Sequence, residues 1–270
     1  MNTLITNIII VMGTILIIWK VDFTPNSDPK EDNPQVQDTI AEVFYPFTND
    51  VKGADGELVE HTFYKLCYNE NTEQADWVAY MLTSQMLIGE AKRKDNFRSD
   101  PEVDTESAGK NDYKGTKYDR GHLMPAATCK FDQQAMDETF FMSNMSPQYY
   151  SFNRGIWKKT EELVRDWTEE HEHLFVVSGP AAYFPDSVIG ENRVAVPSHF
   201  YKVLLFKEGN RCETAAFLIK NEKSSLKPKD FLVTVDSVEA YTGLDFFWEL
   251  PDSMEIKSEN HLSTIFKISE

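Results

Sequence analysis

The chain has 270 residues, of which 27 are Lys or Arg and 44 are Asp or Glu, giving a formal net charge of −17. An apolar fraction of 41% and an aromatic fraction of 13% exclude intrinsic disorder for most of the chain. The acidity argues against a nucleic-acid-binding protein with a uniformly basic face. Three cysteines (Cys67, Cys129 and Cys212) are too few for a disulfide framework, allow at most one disulfide, and leave its pairing open.

The N-terminus carries the only strongly apolar run of the sequence, from Leu4 to Trp19. Its length falls between that of a signal-peptide core and that of a membrane-spanning helix. Residues 1–21 are therefore expected to be a signal peptide or an N-terminal membrane anchor. Both alternatives predict a protein that is secreted, periplasmic or membrane-anchored and faces outside the cytoplasm. A mitochondrial presequence is disfavoured, because such segments are amphipathic and rich in arginine.

Residues 22–41 contain three closely spaced prolines among polar residues, which predicts a solvated linker. A folded domain is expected over residues 42–252 and a peripheral tail over residues 253–270. Apolar runs and spacings within the domain predict five strands and two helices. The strands are His61–Tyr68, Trp77–Leu82, Leu174–Pro180, His199–Phe206 and Glu213–Leu218, and the helices are Asp132–Phe141 and Asn153–Trp167. Because the two kinds of element do not alternate regularly, the predicted fold class is α+β.

The densest group of reactive side chains is the tetrapeptide Asp119–His122. His122 has the chemistry of a general base near neutral pH, and Arg120 can grip a phosphate through its planar fork of donors. Gly121 between them is expected to allow a tight backbone turn. A lone histidine beside an aspartate is more often a hydrogen-bonded structural residue, so the tetrapeptide does not by itself predict catalysis.

A second group follows on the predicted helix, where Asn153, Trp157 and Glu161 are spaced by four residues and share one face. Amide and carboxylate oxygens suit Mg²⁺, whereas a zinc site would need histidine or cysteine ligands. The alternative is an ordinary amphipathic helix with Asn153 near its N-cap and Glu161 in solvent.

Taken together, the two groups resemble the DNA/RNA non-specific endonuclease family, which includes the Serratia nuclease, NucA-type nucleases and endonuclease G. The resemblance rests on Asp119–Leu123, Phe140–Gln148 and Asn153–Trp157 with Glu161, and later segments extend it over roughly residues 45 to 250. It implies a ββα-metal nuclease fold, in which a central antiparallel sheet is flanked by helices.

The resemblance also assigns roles in catalysis. His122 matches the general base that takes a proton from water, and Arg120 matches the arginine beside the scissile phosphate. Arg93 matches an arginine that stabilises the pentacovalent phosphate, with Arg98 as the alternative in a shifted register.

The same resemblance assigns a metal site. Asn153 matches the ligand of a single Mg²⁺ ion, for which Mn²⁺ is a substitute, and Glu161 matches the carboxylate that holds the water shell of the metal. Asp119 is expected to position the motif, and Asn144 to support His122 or its loop. The expected substrate-binding residues are Arg154 and Lys158.

The sequence therefore predicts a magnesium-dependent endonuclease that hydrolyses DNA and RNA without sequence preference and leaves 5′-phosphate ends. The alternatives are a nucleotide phosphodiesterase using the same site and a nuclease-like domain that binds nucleic acid or protein without cutting. Analogy with the family suggests a homodimer, and the N-terminal run suggests a membrane tether. Residues 91–167, which contain every expected site residue, carry 13 basic and 13 acidic residues, so the net negative charge lies elsewhere.

Overall fold

The computed structural model describes residues 51–267. The expected signal or anchor, the linker and the first residues of the expected domain lie outside these residues. Seven strands form one antiparallel sheet in the order β1-β2-β3-β6-β7-β8-β9, and β4 and β5 form a separate antiparallel pair. The strands are β1 (Glu57–Glu60), β2 (Lys65–Asn69), β3 (Gln74–Thr83), β4 (Tyr118–His122), β5 (Met145–Tyr149), β6 (His173–Ile189), β7 (Val194–Glu208), β8 (Arg211–Lys220) and β9 (Leu232–Val233).

Four helices longer than a single turn accompany these strands. They are α1 (Gln133–Glu138), α2 (Lys158–His171), α3 (Val235–Thr242) and α4 (Asp252–Glu259). An α-helical turn at Tyr150–Phe152 and a π-helical turn at Asn153–Trp157 lead directly into α2. Short 3₁₀ helices occur at Ser84–Leu87, Lys110–Tyr113, Ala126–Thr128, Met142–Asn144 and Pro228–Phe231.

Both faces of the large sheet are covered, which explains why its central strands are apolar on both sides. On one face, Val78 and Leu204 belong to a core that also contains Trp157 and Trp167 beside or within α2. Strand residues alternate in direction, so neighbours such as Ala79 pack into a second core on the other face, which includes α3. The predicted α+β class, with an antiparallel sheet flanked by helices, is confirmed.

Two predicted strand boundaries are wrong. Residues 61–64 form the turn between β1 and β2, in which the His61 backbone N–H donates to Tyr64 O at 2.8 Å. The apolar turn residue Phe63 packs edge-on against Phe131 at 5.0 Å, so its apolar character reflects burial rather than strand pairing. Pro180 does not end its strand either, because β6 continues to Ile189 and shifts its register against β7 after Pro180.

The C-terminal residues 253–267, expected to form a tail, contribute to the packing of the domain. Phe266 is buried, with its ring centroid 4.9 Å from that of Trp167, and Trp167 Nε1 donates to Lys267 O at 2.8 Å. All three cysteines are free thiols. Cys67 and Cys129 belong to the cores on opposite faces of the sheet, which explains why these two are not joined.

Candidate active site

Strand β4, which pairs with β5, and the helical residues that follow β5 line a pocket of about 880 Å³. The polar and charged residues that line it are Arg93, Asp95, Asn96, Lys110, Asp119, Arg120, His122, Asn153, Arg154, Lys158, Glu161 and Arg165. Six of these side chains are basic and three are acidic, so the pocket favours an anionic ligand although the whole chain is acidic. Eight of the nine site residues expected from sequence line this pocket, and the ninth, Asn144, lies behind it.

His122 is the last residue of β4, and its ring is enclosed by aromatic side chains. Its ring centroid is 5.0 Å from that of Phe140 and 5.9 Å from that of Phe97. Nε2 is buried and makes no hydrogen bond within the described residues. Burial, followed by the charges of Arg93 and Arg120, lowers the pKa of His122 to about 3. The imidazole is therefore neutral at neutral pH, which is the protonation state that a general base needs.

Asp119 and Asn153 are linked across the pocket wall. Asn153 Nδ2 donates to Asp119 Oδ2 at 3.1 Å, and Arg154 donates to both carboxylate oxygens at 2.8 and 2.7 Å. Partial burial alone would raise the pKa of Asp119, but the hydrogen bonds from Arg154 and Asn153 outweigh it and hold the pKa below its usual range. Because Asn153 uses its amide nitrogen in this contact, its Oδ1 is the atom left for another ligand.

The helix geometry at Asn153 differs from the regular spacing on which the sequence analysis relied. Residues 153–157 form a π-helical turn, with Gly155 at φ −109° and ψ −106°. Asn153 and Glu161 nevertheless line the same pocket. Trp157 is fully buried, and its Nε1 donates to His122 O at 3.3 Å, which ties the helix to the end of β4. Single π-turns within helices frequently occur at functional sites.

Glu161 lies near a buried lysine that the sequence analysis did not identify. Lys202 on β7 is fully buried; its Nζ donates to Ser178 Oγ at 2.6 Å and lies 4.7 Å from the centre of the Trp157 ring. Burial raises the pKa of Glu161 and lowers that of Lys202, while the attraction between the two charges opposes both shifts. A strand position flanked by apolar residues gives no sign in the sequence that this lysine belongs to the site.

Of the three arginines considered for the site, Arg93 and Arg120 line the pocket and Arg98 does not. Arg93 is exposed, lines the pocket, and donates from Nε to Asp95 at 2.6 Å. Arg98 lies outside the lining, because its guanidinium packs 3.9 Å from the centre of the Phe141 ring and donates to Asp137 O at 2.8 Å. Arg120 lies 4.0 Å above the ring of Phe97 within the pocket. Of the two registers considered for the upstream arginine, only Arg93 faces the site.

Asn144 is fully buried and supports the loop after His122. Its Oδ1 accepts from the Met124 backbone N–H at 2.8 Å, and its Nδ2 donates to Met124 O and Thr139 O at 3.0 and 2.8 Å. Lys158 is exposed at the start of α2, 3.6 Å from Glu162. Asn144 thus fixes the backbone behind the pocket, whereas Lys158 is exposed and lines its front.

Gly121 is needed for a different reason from the tight turn expected from sequence. It lies within β4, paired with Ser146, and its φ is not positive. A Cβ at this position would lie 2.1 Å from Cδ of the fully buried Gln148, so the side chain of Gln148 occupies the space. Close approach, rather than unusual backbone dihedrals, excludes larger residues here.

The donors in the pocket fit a hard divalent cation. Asn153 Oδ1 is oriented by Asp119, and Glu161 supplies a carboxylate on the same wall. Oxygen donors of this kind, with room for several waters, suit Mg²⁺ or Mn²⁺ better than Zn²⁺. A cation beside Glu161 would also favour its ionised form, which burial alone disfavours.

Comparison with known proteins identifies the family of this chain. The family profile described as DNA/RNA non-specific endonuclease matches residues 44–253. Mitochondrial endonuclease G from Homo sapiens is 35% identical over 205 residues, which cover 70% of this chain and 69% of the relative. Mitochondrial nuclease EXOG from Homo sapiens is 35% identical over 217 residues, which cover 73% of this chain and 59% of the relative.

A solved structure of the complex between EndoG and EndoGI, which concerns the inhibition of EndoG, has a similar fold. The match has a TM-score of 0.68 at 30% sequence identity and covers 74% of this chain and 89% of the other. The mitochondrial nuclease of Saccharomyces cerevisiae is 36% identical over 212 residues, which cover 69% of this chain and 64% of the relative.

The predicted secreted, periplasmic or membrane-anchored location is wrong. The relatives from Homo sapiens and Saccharomyces cerevisiae are all named as mitochondrial nucleases. Among residues 51–267, no helix is long and apolar enough to cross a membrane. The prediction relied on the N-terminal apolar run, whose length and hydrophobicity are not specific to one compartment. The matches support a hydrolase that acts on nucleic acids, and the chain belongs to the DNA/RNA non-specific endonuclease family.

Proposed function

We propose that the protein is a magnesium-dependent endonuclease that hydrolyses phosphodiester bonds of DNA and RNA without sequence preference. The observation that carries this proposal is the neutral His122 imidazole in the same pocket as Asn153, Glu161 and six basic side chains. That combination provides a base, a candidate metal site and a positive field, which are the requirements of phosphodiester hydrolysis.

His122 is the proposed general base. Because Nε2 is enclosed by protein, Nδ1 is the nitrogen that would accept a proton from the attacking water. As the water oxygen bonds to phosphorus, the P–O3′ bond breaks and the leaving oxygen takes a proton from a solvent water, which gives a 5′-phosphate and a 3′-hydroxyl. Arg93 and Arg120 both lower the pKa of His122, so a phosphate anion bound between them would offset their charges and increase the basicity of the imidazole.

The remaining residues position and neutralise the substrate. Arg120, and Arg93 beside it, would stabilise the charge that accumulates on the phosphoryl oxygens. Arg154 and Lys158, both exposed at the pocket rim, would bind neighbouring phosphates of the polymer. Asn153 would bind Mg²⁺ directly and Glu161 would hold water molecules of its shell, and the bound ion would stabilise negative charge on the phosphate and the leaving oxygen.

The proposal is tested with plasmid DNA, linear duplex DNA, single-stranded RNA and a small diester, each with Mg²⁺ and with a chelator. Digestion of every polymer, lost on chelation, is the expected result. Turnover of the small diester alone would instead indicate a nucleotide phosphodiesterase. Binding of the polymers without turnover would indicate a non-cutting nucleic-acid-binding domain.

The role of His122 is tested by His122→Ala. General-base catalysis contributes about 10²–10⁴-fold, so the variant should lose at least a hundredfold in plasmid cleavage. The matched control is His199→Ala, which removes a histidine on β7 that contacts Tyr241 and does not line the pocket. Cleavage by purified, folded His122→Ala within about tenfold of wild type would contradict the assignment.

A further inference from the structure

A second group of carboxylates lies apart from the pocket, between α3 and α4. Asp236 and Glu239 are one turn apart on α3, and Glu259 is the last residue of α4. One carboxylate oxygen from each residue lies within 4.8 Å of the other two. None of the three lines the catalytic pocket, and the α3 residues Val235 and Val238 pack into the core on the sheet face opposite α2. This carboxylate group is therefore separate from the nuclease site.

Glu259 is the buried member of this carboxylate group. It is only 4% exposed, and its Oε1 has no hydrogen-bond partner. Among residues 51–267, no salt bridge joins Asp236, Glu239 or Glu259 to a basic side chain. The end of α4 is fixed in place, because Thr214 Oγ1 donates to Ser258 O at 2.5 Å. A buried carboxylate held without a partner is unfavourable unless it keeps a proton or binds a cation.

The neighbouring carboxylates make it still less favourable for Glu259 to be ionised without a cation. Burial, followed by Glu239, Glu255 and Asp236, raises the pKa of Glu259 to about 9. Without a cation, Glu259 therefore holds a proton at neutral pH, because its ionised form would be repelled by the neighbouring carboxylates. A divalent cation at their centre would turn this repulsion into attraction.

We propose that Asp236, Glu239 and Glu259 form a Ca²⁺ site that joins α3 to α4. Ca²⁺ accepts several carboxylates at once, whereas Mg²⁺ in proteins is usually held by only one or two and keeps most of its waters. Glu239 Oε1 accepts from the Phe246 backbone N–H at 2.8 Å, which leaves its second oxygen for a metal. The proposal does not depend on the nuclease activity, because none of its residues belongs to the catalytic pocket.

The test is calorimetric titration of CaCl₂ into the full chain after removal of metals by a chelator. The background is Asn153→Ala, so that binding at the catalytic pocket does not contribute. One Ca²⁺ per chain should bind, and Glu259→Gln or Asp236→Asn in the same background should weaken the affinity at least tenfold. Asp236 is exposed, so its variant should fold even if Glu259→Gln does not. The matched control is Asp252→Asn, an exposed acid at the start of α4, which should bind Ca²⁺ like the background.

A second measurement follows the melting temperature. At Ca²⁺ about a hundredfold above Kd, the background protein should melt roughly 5–10 °C higher, and the Asp236→Asn variant should show no comparable rise. The proposal is overturned if the background binds no Ca²⁺, or if the Asp236 and Glu259 variants bind it as tightly as the background does. Mg²⁺-dependent cleavage by Asp236→Asn with intact Asn153 should stay within threefold of wild type, because the two sites are separate.

Discussion

Asp119 offers the sharpest test of how the site is organised, because it touches the proposed metal ligand without being one. Its carboxylate accepts one hydrogen bond from Asn153 and two from Arg154. Asp119→Asn keeps the size of the side chain and removes the charge. Asn153 then loses a charge-assisted hydrogen bond from its Nδ2. Its amide is no longer fixed in the orientation that leaves Oδ1 available to the metal.

The expected size of the effect follows from this one contact. A hydrogen bond to a charged group contributes about 1.5–3 kcal/mol, and about 1.4 kcal/mol corresponds to a tenfold change in an equilibrium constant. The Mg²⁺ concentration that gives half-maximal activity should therefore rise about 10- to 100-fold, as is usual when a residue behind a metal ligand is changed. The rate at saturating Mg²⁺ should fall less than tenfold, because the base His122 is untouched.

The measurement is the initial rate of plasmid cleavage over a series of Mg²⁺ concentrations. Arg154→Ala is the matched comparison, because it removes the other partner of Asp119 and leaves the contact with Asn153. That variant should weaken DNA binding and leave the Mg²⁺ midpoint within about threefold of wild type. An unchanged Mg²⁺ midpoint in Asp119→Asn would refute the view that Asp119 orients a metal-binding amide.

Four further predictions concern the charge and packing of the same region. In metal-free protein, the proton NMR signal of His122 should show no titration between pH 5 and 8. His122 binds a proton near pH 6.5 in the unfolded chain but only near pH 3 in the folded protein. Acidification between these two pH values should therefore cost up to about 1.4 kcal/mol of stability per pH unit, and His122→Ala should lack this component. Gly121→Ala places a methyl group against buried Gln148 and should lower the urea-unfolding free energy by about 1–3 kcal/mol. Lys202→Met removes a charge opposite half-buried Glu161 and should raise the pKa of Glu161, as measured by carboxyl NMR. Cleavage should weaken from low to physiological salt, and a flat response would contradict a role for the basic pocket in polymer binding.

The sequence predicted the residues of the pocket better than the reasons for their arrangement. Asp119, His122, Asn153 and Glu161 could be recognised because reactive side chains occur there at short, regular spacings. The relative positions of these four side chains could not be predicted, because a π-helical turn replaces the regular helix at Asn153. Gly155, in the middle of the predicted helix, is a local sign of irregular backbone, but it does not specify a π-helical turn or the contact of Trp157 with His122 O.

Residues that join the site through tertiary contacts were missed for the same reason. Lys202 lies in a strand whose neighbours are apolar, and only the sheet brings it next to Trp157 and Glu161. Lys110 lines the pocket from a 3₁₀ turn that the sequence motifs do not include. Arg165 also lines it and lies one turn after Glu161 on α2, beyond the residues that the motifs name. Long-range neighbours of this kind become visible only when strand order and register are known.

The strongly acidic composition has a physical consequence once the pocket is known. The chain carries a net charge of −17, yet the pocket is lined by six basic and three acidic side chains. A polyanion is therefore attracted at one site and repelled by the rest of the surface, which restricts non-productive binding elsewhere. Because both the attraction and the repulsion are screened by salt, their balance determines where a nucleic acid binds. An acidic protein can thus act on nucleic acid, provided that its basic residues are gathered around the reacting group.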